Sequence, residues 1–383
     1  MSAPRVAHLT TVDSSLWYLL RPQLRAVVER GGTVTGISAP GPCVPALAGD
    51  GVRHLALRSS TRGWSLTADL RAAAELWRIL RRERFDVLHT HNPKPGVYGR
   101  IVGRLARVPL VVNTNHGLYI SEGRRLRTAL VLALEGLAAR FSHVELVQNV
   151  EDMDRLTRWH LNSAKRTRLL GNGIDLERFR PPDDAAERDR AREALGVPPE
   201  QVAVLMVGRL VAEKGYPELF AAARSLGPGY AVVCVGPDDP SKADALSRDE
   251  VAAAVRVGVR FLGQRDDIEV LYRGADVFAL PSHREGFPRA AMEAAASGLP
   301  VVATDVRGCR QVVDDGVTGA LVPLRRPDAL AEAVRALGDD PARRAELGQA
   351  GRNKACREFD ERAVVTRVLD AYGRYGDQLT LRE

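Results

Sequence analysis

Residues 280–298, LPSHREGFPRAAMEAAASG, decide the fold of this 383-residue chain. An apolar strand ends at Leu280, and a polar loop containing Gly286 follows it. Pro288 then suits the first turn of a helix that runs to about Ser297. A strand, a loop and a helix in this order are typical of a parallel sheet that is covered by helices.

The same stretch carries two glutamates in positions that suit a ligand. Glu285 lies in the loop, and Glu293 lies in the second turn of the predicted helix. N–H groups at the start of this helix favour a phosphate, and carboxylates accept hydrogen bonds from the paired hydroxyls of a sugar or ribose. A capped helix with two incidental glutamates is the alternative. Within this strand–loop–helix context, we favour a ligand that both glutamates face.

Apolar runs and amphipathic segments alternate along the rest of the chain. The predicted strands are 6–9, 34–38, 87–88, 110–112, 144–147, 202–207, 231–235, 259–262, 277–280 and 301–304, with helical patterns at 66–80 and 126–139. A further run, 166–170, ends at the turn signal Gly171-Asn172-Gly173. A proline-containing stretch at 178–190 separates the two sets and is assigned to a linker. The alternation predicts two doubly wound α/β domains, 1–178 and 190–358, with ligands outside the carboxyl ends of the strands. A final helical segment within 359–383 is long enough to cross back to the first domain.

Bulk composition excludes several classes of protein. Apolar residues make up 45% and charged residues 27%, an ordinary globular composition. The four cysteines are far apart, which argues against a zinc site or a disulfide framework. We find neither a signal peptide nor a long apolar segment, so a cytoplasmic protein is expected.

Charge is distributed unevenly between the two halves. Residues 1–178 hold 26 lysines and arginines against 15 aspartates and glutamates, a formal charge of +11, whereas the remainder carries −4. The basic half suits an anionic partner: a phosphorylated substrate, an anionic membrane surface or nucleic acid. The alternative is solvated surface charge without a partner.

A second motif, GRLVAEKG at residues 208–215, directly follows a predicted strand. Arg209 and Lys214 can present two cations to a diphosphate and neutralise the charge on a leaving group. Alone, the motif suits a solvated loop equally well. With the helix at Pro288 in the same sheet, phosphate binding is favoured.

Together the two motifs resemble those of glycosyltransferase family 4, whose Glu-x7-Glu pattern Glu285 and Glu293 match. The resemblance covers nearly the whole chain and is strongest over residues 201–323. It implies the GT-B fold: two Rossmann-like domains that face a central cleft, an N-terminal domain for the acceptor and a C-terminal domain for the nucleotide-sugar donor. The C-terminal helix is implied to pack back towards the N-terminal domain.

The resemblance also implies a role for each matching residue. Arg209 and Lys214 would bind the donor diphosphate, and Glu285 would contact hydroxyls of the donor sugar. His116, in the sequence Asn-His-Gly after a strand, is similar to the family's histidine that contacts the donor sugar. Glu293 would hold the ribose hydroxyls. The backbone of two further segments would line the donor site: Gly286, Phe287 and Pro288 against the sugar and phosphates, and Leu262, Gly263 and Gln264 against the base.

Two further patterns bear on acceptor and metal. HTHNPKPG at residues 89–96 resembles a string found in the branch of the family that builds capsule, O-unit and lipid-linked glycans. We expect His89 and His91 to point to opposite faces of the sheet, and so to be unsuited to binding one metal. Asp152 and Asp154 form an Asp-x-Asp pattern, but they follow Asn149 at a predicted helix N-terminus, where acids favour the helix dipole. No metal site is predicted.

One departure from the family concerns the loop after the first strand. The family commonly has two glycines there, whereas this chain has TTVDSS at residues 10–15. The approach of the donor phosphates to this loop is therefore open.

The sequence thus predicts a metal-independent, retaining glycosyltransferase without a separate cofactor. It would transfer a hexosyl or N-acetylhexosaminyl group from a nucleotide-diphosphate sugar, with uridine favoured as the base. The expected acceptor is a glycan or aglycone, with a polyprenyl-diphosphate-linked glycan and peripheral contact at the inner face of the membrane as one hypothesis. The alternatives are a soluble small-molecule acceptor, a GT-B nucleotide-sugar epimerase, a binding module without catalysis, and a nucleic-acid-binding protein. The four matching residues Arg209, Lys214, Glu285 and Glu293 argue against the binding module, and only the basic first half supports nucleic acid.

Overall fold

The computed structural model describes residues 3–61, 63, 65–91, 94–118, 125–240 and 242–380. The chain divides into two compact units, one formed by Met1–Gly171 together with Arg362–Glu383 and the other by Asn172–Glu361. Each unit is an α/β unit around a parallel sheet, as predicted.

Unit 1, the first of these, is built on a seven-stranded sheet. Its strands are β1 (Arg5–Val12), β2 (Thr33–Ala39), β3 (Arg53–Ala56), β4 (Val87–His91), β5 (Leu110–Asn115), β6 (Val144–Val147) and β7 (Thr167–Leu169), in the order β3-β2-β1-β4-β5-β6-β7. The helices between them are α1 (Asp13–Glu29), α2 (Val44–Gly49), α3 (Leu66–Glu83), α4 (Lys94–Leu105), α5 (Arg125–Ala139) and α6 (Val150–Arg158). Leucine and valine side chains from strands and helices fill a core on each face of the sheet.

The transition from β1 to α1 differs from the prediction of a loop at residues 10–15. The strand continues to Val12, and the helix begins at Asp13 without an intervening loop. The buried Asp13 carboxylate accepts hydrogen bonds from the backbone N–H groups of Ser14 and Cys43, at 2.9 and 2.7 Å. These bonds satisfy the buried Asp13 carboxylate. The helix start thus has an aspartate in the region where the family commonly has glycines.

Unit 2 is built on a six-stranded sheet. Its strands are β8 (Val202–Val207), β9 (Tyr230–Val235), β10 (Arg260–Phe261), β11 (Val277–Leu280), β12 (Val301–Thr304) and β13 (Gly319–Val322), in the order β10-β9-β8-β11-β12-β13. Its helices are α7 (Ala185–Leu195), α8 (Tyr216–Leu226), α9 (Arg248–Arg256), α10 (Ile268–Gly274), α11 (Arg289–Ala296), α12 (Pro327–Gly338) and α13 (Pro341–Glu358). Helix α7 begins inside the stretch 178–190, so the assignment of that whole stretch to a linker is wrong. The Asp184 side chain caps the helix by accepting the Glu187 N–H at 2.7 Å.

Both sheets reverse their strand order beside their first strand. In unit 1 the reversal lies between β1 and β4, and in unit 2 it lies between β8 and β11. All strand pairs in both sheets are parallel. Within each sheet, the loops that follow the strands therefore emerge at the same edge. Ligands of open α/β sheets bind at such a reversal.

After α13 the chain returns to unit 1 as α14 (Glu361–Ala371) and α15 (Arg374–Thr380). Val364, Val368, Leu369 and Tyr372 are buried in the same core as residues of α1 and β1. The helical segment predicted within 359–383 is interrupted at Gly373, which has a φ of 55°. Across the described residues, none of the helices has both the length and the hydrophobicity that a membrane span requires.

Candidate functional site

The two predicted motifs of unit 2 pack against each other where the sheet reverses. One follows β8 and the other follows β11, and these strands are hydrogen-bonded neighbours. Gly215 sits at the contact with a φ of 83°, and a Cβ at this position would lie 2.0 Å from the Pro281 carbonyl oxygen. Only glycine therefore allows the two loops this close approach.

Lys214 and Glu285 form an ion pair at this contact. The Lys214 Nζ lies 2.6 Å from Glu285 Oε1, and the Ser282 hydroxyl donates to the same oxygen at 2.7 Å. The Glu285 side chain is 9% exposed and that of Lys214 is 25% exposed. The structure thus brings together two residues from separate motifs and fixes the carboxylate with two donors.

Arg209 lies on the same loop but has a different partner. Its Nη1 lies 2.5 Å from Asp239 Oδ2, and its side chain is half-exposed. The two predicted diphosphate-binding cations are therefore each paired with a carboxylate, Lys214 with Glu285 and Arg209 with Asp239.

Glu293 occupies a separate environment on α11. The Tyr272 hydroxyl donates to its Oε2 at 3.1 Å, and Arg289 Nε lies 3.7 Å from its Oε1. Burial raises the pKa of the Glu293 carboxyl above its usual range, although Arg289 and the Tyr272 hydroxyl act in the opposite direction. Glu293 is consequently easier to protonate than an ordinary surface glutamate.

The start of α11 lies close to its predicted position. The helix begins at Arg289, with Pro288 as its extended N-cap residue rather than in its first turn. The Asn172 side-chain amide donates to the Phe287 carbonyl at 3.3 Å, which anchors the loop beside the helix start. A Cβ at Gly308 would lie 2.6 Å from the backbone of Glu285, so a second close approach supports the loop from the other side.

The predicted base-binding segment 262–264 follows β10. The Leu262 N–H donates to the Cys234 carbonyl at 3.0 Å, and the Gly263 carbonyl accepts from the Gly236 N–H at 2.8 Å. These two bonds hold the segment against the end of β9. A base that contacts this segment would therefore have to bond to its other backbone N–H and C=O groups.

In unit 1, four histidines lie together near the carboxyl ends of the central strands. His8 is on β1, His89 and His91 are on β4, and His116 follows β5. The expectation that His89 and His91 point to opposite faces is wrong, because residues two apart on a strand share a face. Their rings stack with centroids 4.4 Å apart.

Hydrogen bonds join these histidines to one another and to Tyr372. His8 Nδ1 lies 3.2 Å from His91 Nε2, and His91 Nδ1 lies 3.0 Å from His116 Nε2. The Tyr372 hydroxyl lies 3.1 Å from His8 Nε2 and 2.9 Å from His89 Nδ1. Sequence reasoning did not identify His8, and it could not identify Tyr372, which is 283 positions from His89.

Burial keeps these imidazoles neutral. It lowers the pKa of His8 to about 3 and that of His116 to about 4, and it lowers the pKa of His89 and His91 well below the usual value. Ring nitrogens of His8, His89 and His91 all lie within 4.8 Å of one another, so the described residues contain one histidine group of the size that a metal ion needs.

The Asp-x-Asp pattern lies at a helix start, as predicted. Asn149 caps α6 by accepting the Glu151 and Asp152 N–H groups. The buried Asp152 carboxylate accepts the Leu118 N–H at 3.0 Å. Asp152 thus has a structural role in this unit.

Two family models match the chain. One, described as Glycosyl transferase 4-like domain, matches residues 19–173, and the other, Glycosyl transferases group 1, matches residues 187–354. An Escherichia coli relative is 31% identical over 330 residues, 84% of this chain and 84% of its own length. It is described as UDP-Gal:alpha-D-GlcNAc-diphosphoundecaprenol alpha-1,3-galactosyltransferase. A D-inositol 3-phosphate glycosyltransferase from Saccharomonospora viridis is 34% identical over 319 residues, 77% of this chain and 72% of its own.

Solved structures share the fold at lower sequence identity. Sucrose-phosphate synthase from Thermosynechococcus elongatus aligns with a TM-score of 0.80 and 24% identity, covering 99% of this chain and 100% of that one. Anabaena HepE, solved in complex with UDP and glucose, aligns with a TM-score of 0.80 and 20% identity, covering 96% and 99%. These similarities support the two-sheet architecture described above.

Proposed function

This chain belongs to the glycosyltransferase family, and on that basis we propose that it transfers a hexosyl or N-acetylhexosaminyl group from a uridine-diphosphate sugar to an acceptor hydroxyl. In this proposal the anomeric configuration is retained and no metal ion takes part. The E. coli relative uses UDP-Gal according to its description, and HepE was solved with UDP, which supports uridine as the base.

The observation that carries this proposal is the Lys214–Glu285 ion pair at the strand reversal of unit 2. A donor diphosphate that reaches Lys214 competes with Glu285 for the ammonium group and brings its sugar beside the carboxylate. Arg209 supplies a second cation. Together the two cations stabilise the negative charge that develops on the departing diphosphate.

The proposed reaction takes place on one face of the donor sugar. The acceptor oxygen bonds to the anomeric carbon while the bond from that carbon to the diphosphate oxygen breaks. The acceptor's hydroxyl proton passes to the departing diphosphate. In the same proposal Glu285 and His116 contact the sugar, Glu293 accepts hydrogen bonds from the ribose, and segment 262–264 contacts the base.

The proposed independence from divalent metals is supported by the charges that the chain supplies. Lys214 and Arg209 are both near the carboxyl end of β8, and α11 starts beside Glu285 with its N–H groups unbonded within the helix. These groups provide the neutralisation that a metal ion provides in other nucleotide-sugar enzymes.

For the acceptor, we propose a lipid-diphosphate-linked glycan reached at a membrane surface. The description of the E. coli relative names an undecaprenol-linked acceptor. In addition, Leu130 and Leu137 on α5 are 61% and 46% exposed, and this helix belongs to the half of the chain with a formal charge of +11. Apolar side chains on a basic surface suit the interface of an anionic membrane.

A soluble phosphorylated acceptor is the second candidate. It is favoured by the S. viridis relative, which is 34% identical and is described as acting on D-inositol 3-phosphate. An acceptor of this kind would also suit a basic surface, without any membrane contact.

The decisive experiment is a transfer assay that crosses a panel of UDP-sugars with two acceptors, a polyprenyl-diphosphate-linked N-acetylhexosamine and inositol phosphate. We expect one donor to give a product with the lipid-linked acceptor, at an unchanged rate in excess EDTA. Isomerised donor without transfer would identify an epimerase. Failure of every donor to bind would favour a module without catalysis, and activity restored only by Mg²⁺ or Mn²⁺ would contradict the metal-independent proposal.

A further inference from the structure

The histidines of unit 1 form one continuous hydrogen-bonded chain. It runs from Thr114 to His89, Tyr372, His8, His91 and His116, with successive contacts of 2.7, 2.9, 3.1, 3.2 and 3.0 Å. The Gln148 side chain is hydrogen-bonded to His116 and closes the far end. The chain therefore includes the residue for which we propose a contact with the donor sugar, and a sugar hydroxyl would take the place of Gln148 on the ring nitrogen of His116 that does not face His91.

Two facts about neutral imidazole define how protons occupy this chain. Each ring has one N–H donor and one acceptor nitrogen, so every ring can donate in one direction and accept from the other. If the Gln148 carbonyl accepts from His116, then His116, His91, His8 and His89 all carry their proton on Nδ1. Reversing every bond moves all four protons to Nε2. A charged ring would face a neighbour donor to donor, so the chain favours neutral rings.

The ring geometry suits a hydrogen-bonded chain better than a metal site. The planes of His8 and His91 are nearly parallel, at 13°, and their centroids are 5.4 Å apart although Nδ1 of His8 lies only 3.2 Å from Nε2 of His91, which suits an N–H···N bond close to the ring planes. His89 and His91 instead stack face to face at 4.4 Å. A metal ion lies close to the plane of each ring that ligates it, and rings stacked as His89 and His91 are do not direct their nitrogens at one point as readily as inclined rings do.

We propose that His8, His91 and Tyr372 are positioning residues for His116. They hold its imidazole neutral, in one orientation and in the same tautomer as the other three rings, at the carboxyl edge of the unit 1 sheet. Tyr372 has a particular place in this arrangement because its hydroxyl joins His8 to His89, and His8 leads on to His91 and His116. The importance of these residues for catalysis rests on the proposed function, in which His116 contacts the donor sugar. The hydrogen-bonded chain itself does not depend on that function.

The test uses the full chain with ¹⁵N-labelled histidine and compares wild type with Tyr372→Phe, which removes only the hydroxyl. Long-range ¹H–¹⁵N spectra distinguish the two neutral tautomers from each other and from the charged ring. We expect His116 and His91 to be neutral and in one tautomer near pH 7 in wild type. In Tyr372→Phe we expect both signals to change, although the hydroxyl contacts only His8 and His89. Tyr375→Phe is the matched control, since that hydroxyl accepts from Arg374 at 2.8 Å outside the chain.

Kinetics of the two variants provide the second measurement. Tyr372→Phe should lower kcat by about tenfold, because a misoriented contact acts on the transition state, while donor KM stays within about twofold. Tyr375→Phe should match wild type. If no transfer is found with any donor, the proposed function fails and the spectra still decide on the chain.

Three results would overturn the positioning role. One is a change confined to His8 and His89 in Tyr372→Phe, which would show a local packing role only. Another is stoichiometric zinc in the purified protein that is lost in His8→Gln. The last, which needs no variant and so does not depend on the folding of Tyr372→Phe, is a charged or rapidly exchanging His116 ring in wild type near pH 7.

Discussion

At the scale of single residues, the donor site depends on Lys214, which is paired with Glu285. We predict that Lys214→Ala raises donor KM and lowers kcat, for a combined loss of about 3 kcal/mol in kcat/KM, because a preorganised charge contact is lost. Steady-state kinetics at a fixed acceptor concentration measure both kcat and the donor KM. Lys165→Ala, which removes an exposed lysine of unit 1, is the control and should leave both unchanged. Near-wild-type turnover in both Lys214→Ala and Arg209→Ala would exclude the diphosphate assignment.

Substitutions of the two glutamates should differ in their effect on the affinity for UDP alone. Glu293→Gln should weaken UDP binding, because the proposed ribose contact needs a carboxylate, whereas Glu285→Gln should mainly lower transfer. Since burial raises the pKa of Glu293, it protonates earlier than an ordinary glutamate as the pH falls. UDP affinity of the wild type should therefore fall in mildly acidic solution, and that of Glu293→Gln should respond less. Calorimetry at several pH values measures both effects, and equal UDP affinity of wild type and Glu293→Gln would refute the ribose role.

Individual residues differ in how far sequence alone could locate them. Lys214 and Glu285 lie in loops after neighbouring strands, so their motifs predicted that they share an edge, but not that they pair directly. His89 and His91 were placed on opposite faces although the two-residue period of a strand puts them on one. Tyr372 gave no local signal, because only the return of the chain to unit 1 brings it to His89.

At the scale of secondary-structure elements, α5 is the helix of unit 1 through which we propose contact with a membrane surface. We predict that Leu130→Ser/Leu137→Ser lowers sedimentation with anionic vesicles and leaves thermal stability unchanged, because both side chains are exposed. From the sequence alone, since Arg124 and the side chains of Arg125 and Arg127 lie outside the described part of the chain, alanines at these three positions should have the same effect and remove the salt dependence.

Exposed leucines on another helix provide the control for this prediction. Leu66 and Leu70 on α3 are 77% and 62% exposed, so Leu66→Ser/Leu70→Ser removes similar apolar surface from the same unit. Vesicle binding should persist in this variant. Equal binding of wild type to neutral and anionic vesicles would remove the membrane proposal and leave the soluble acceptor.

The elements that the sequence predicted best are the buried central strands. Strands such as β8, with a continuous run of valine, alanine, leucine and methionine, are covered on both faces and show an uninterrupted apolar pattern. The edge strands β3 and β13 were missed. Each has only four residues. β3 begins with Arg and His and has no buried residue, and β13 begins with Gly and Ala, so neither shows a clear apolar run.

At the scale of the whole molecule, the buried histidines link stability to pH. The unfolded chain binds their protons near pH 6.5, whereas burial lowers the pKa of His8, His89 and His91 in the folded unit. The unfolded state therefore binds more protons below about pH 6.5, and the free energy of unfolding must fall as the pH falls. Each histidine contributes up to about 1.4 kcal/mol per pH unit.

Tryptophan fluorescence can measure this effect in unit 1, since Trp17, Trp64, Trp77 and Trp159 all precede residue 172. We expect the unfolding free energy from urea titrations to decline between pH 7 and pH 5, and the decline to be shallower in His8→Gln. His160→Gln, which changes an exposed histidine, should keep the wild-type slope. Parallel curves for wild type and His8→Gln would contradict the linkage.

The return of the chain to unit 1 also constrains how the protein is made. The ribosome synthesises Tyr372 and nearly all of α14 only after every residue of unit 2. Synthesis of unit 1 therefore begins first, but unit 2 is the first unit whose residues are all present. Until then the core of unit 1 lacks Val364, Val368 and Leu369, and the imidazole of His8 lacks its phenolic neighbour. Domains commonly fold in the order of their synthesis. Here unit 2 is one continuous segment, so its core can form on the nascent chain before the C-terminal segment that completes the core of unit 1 has been synthesised.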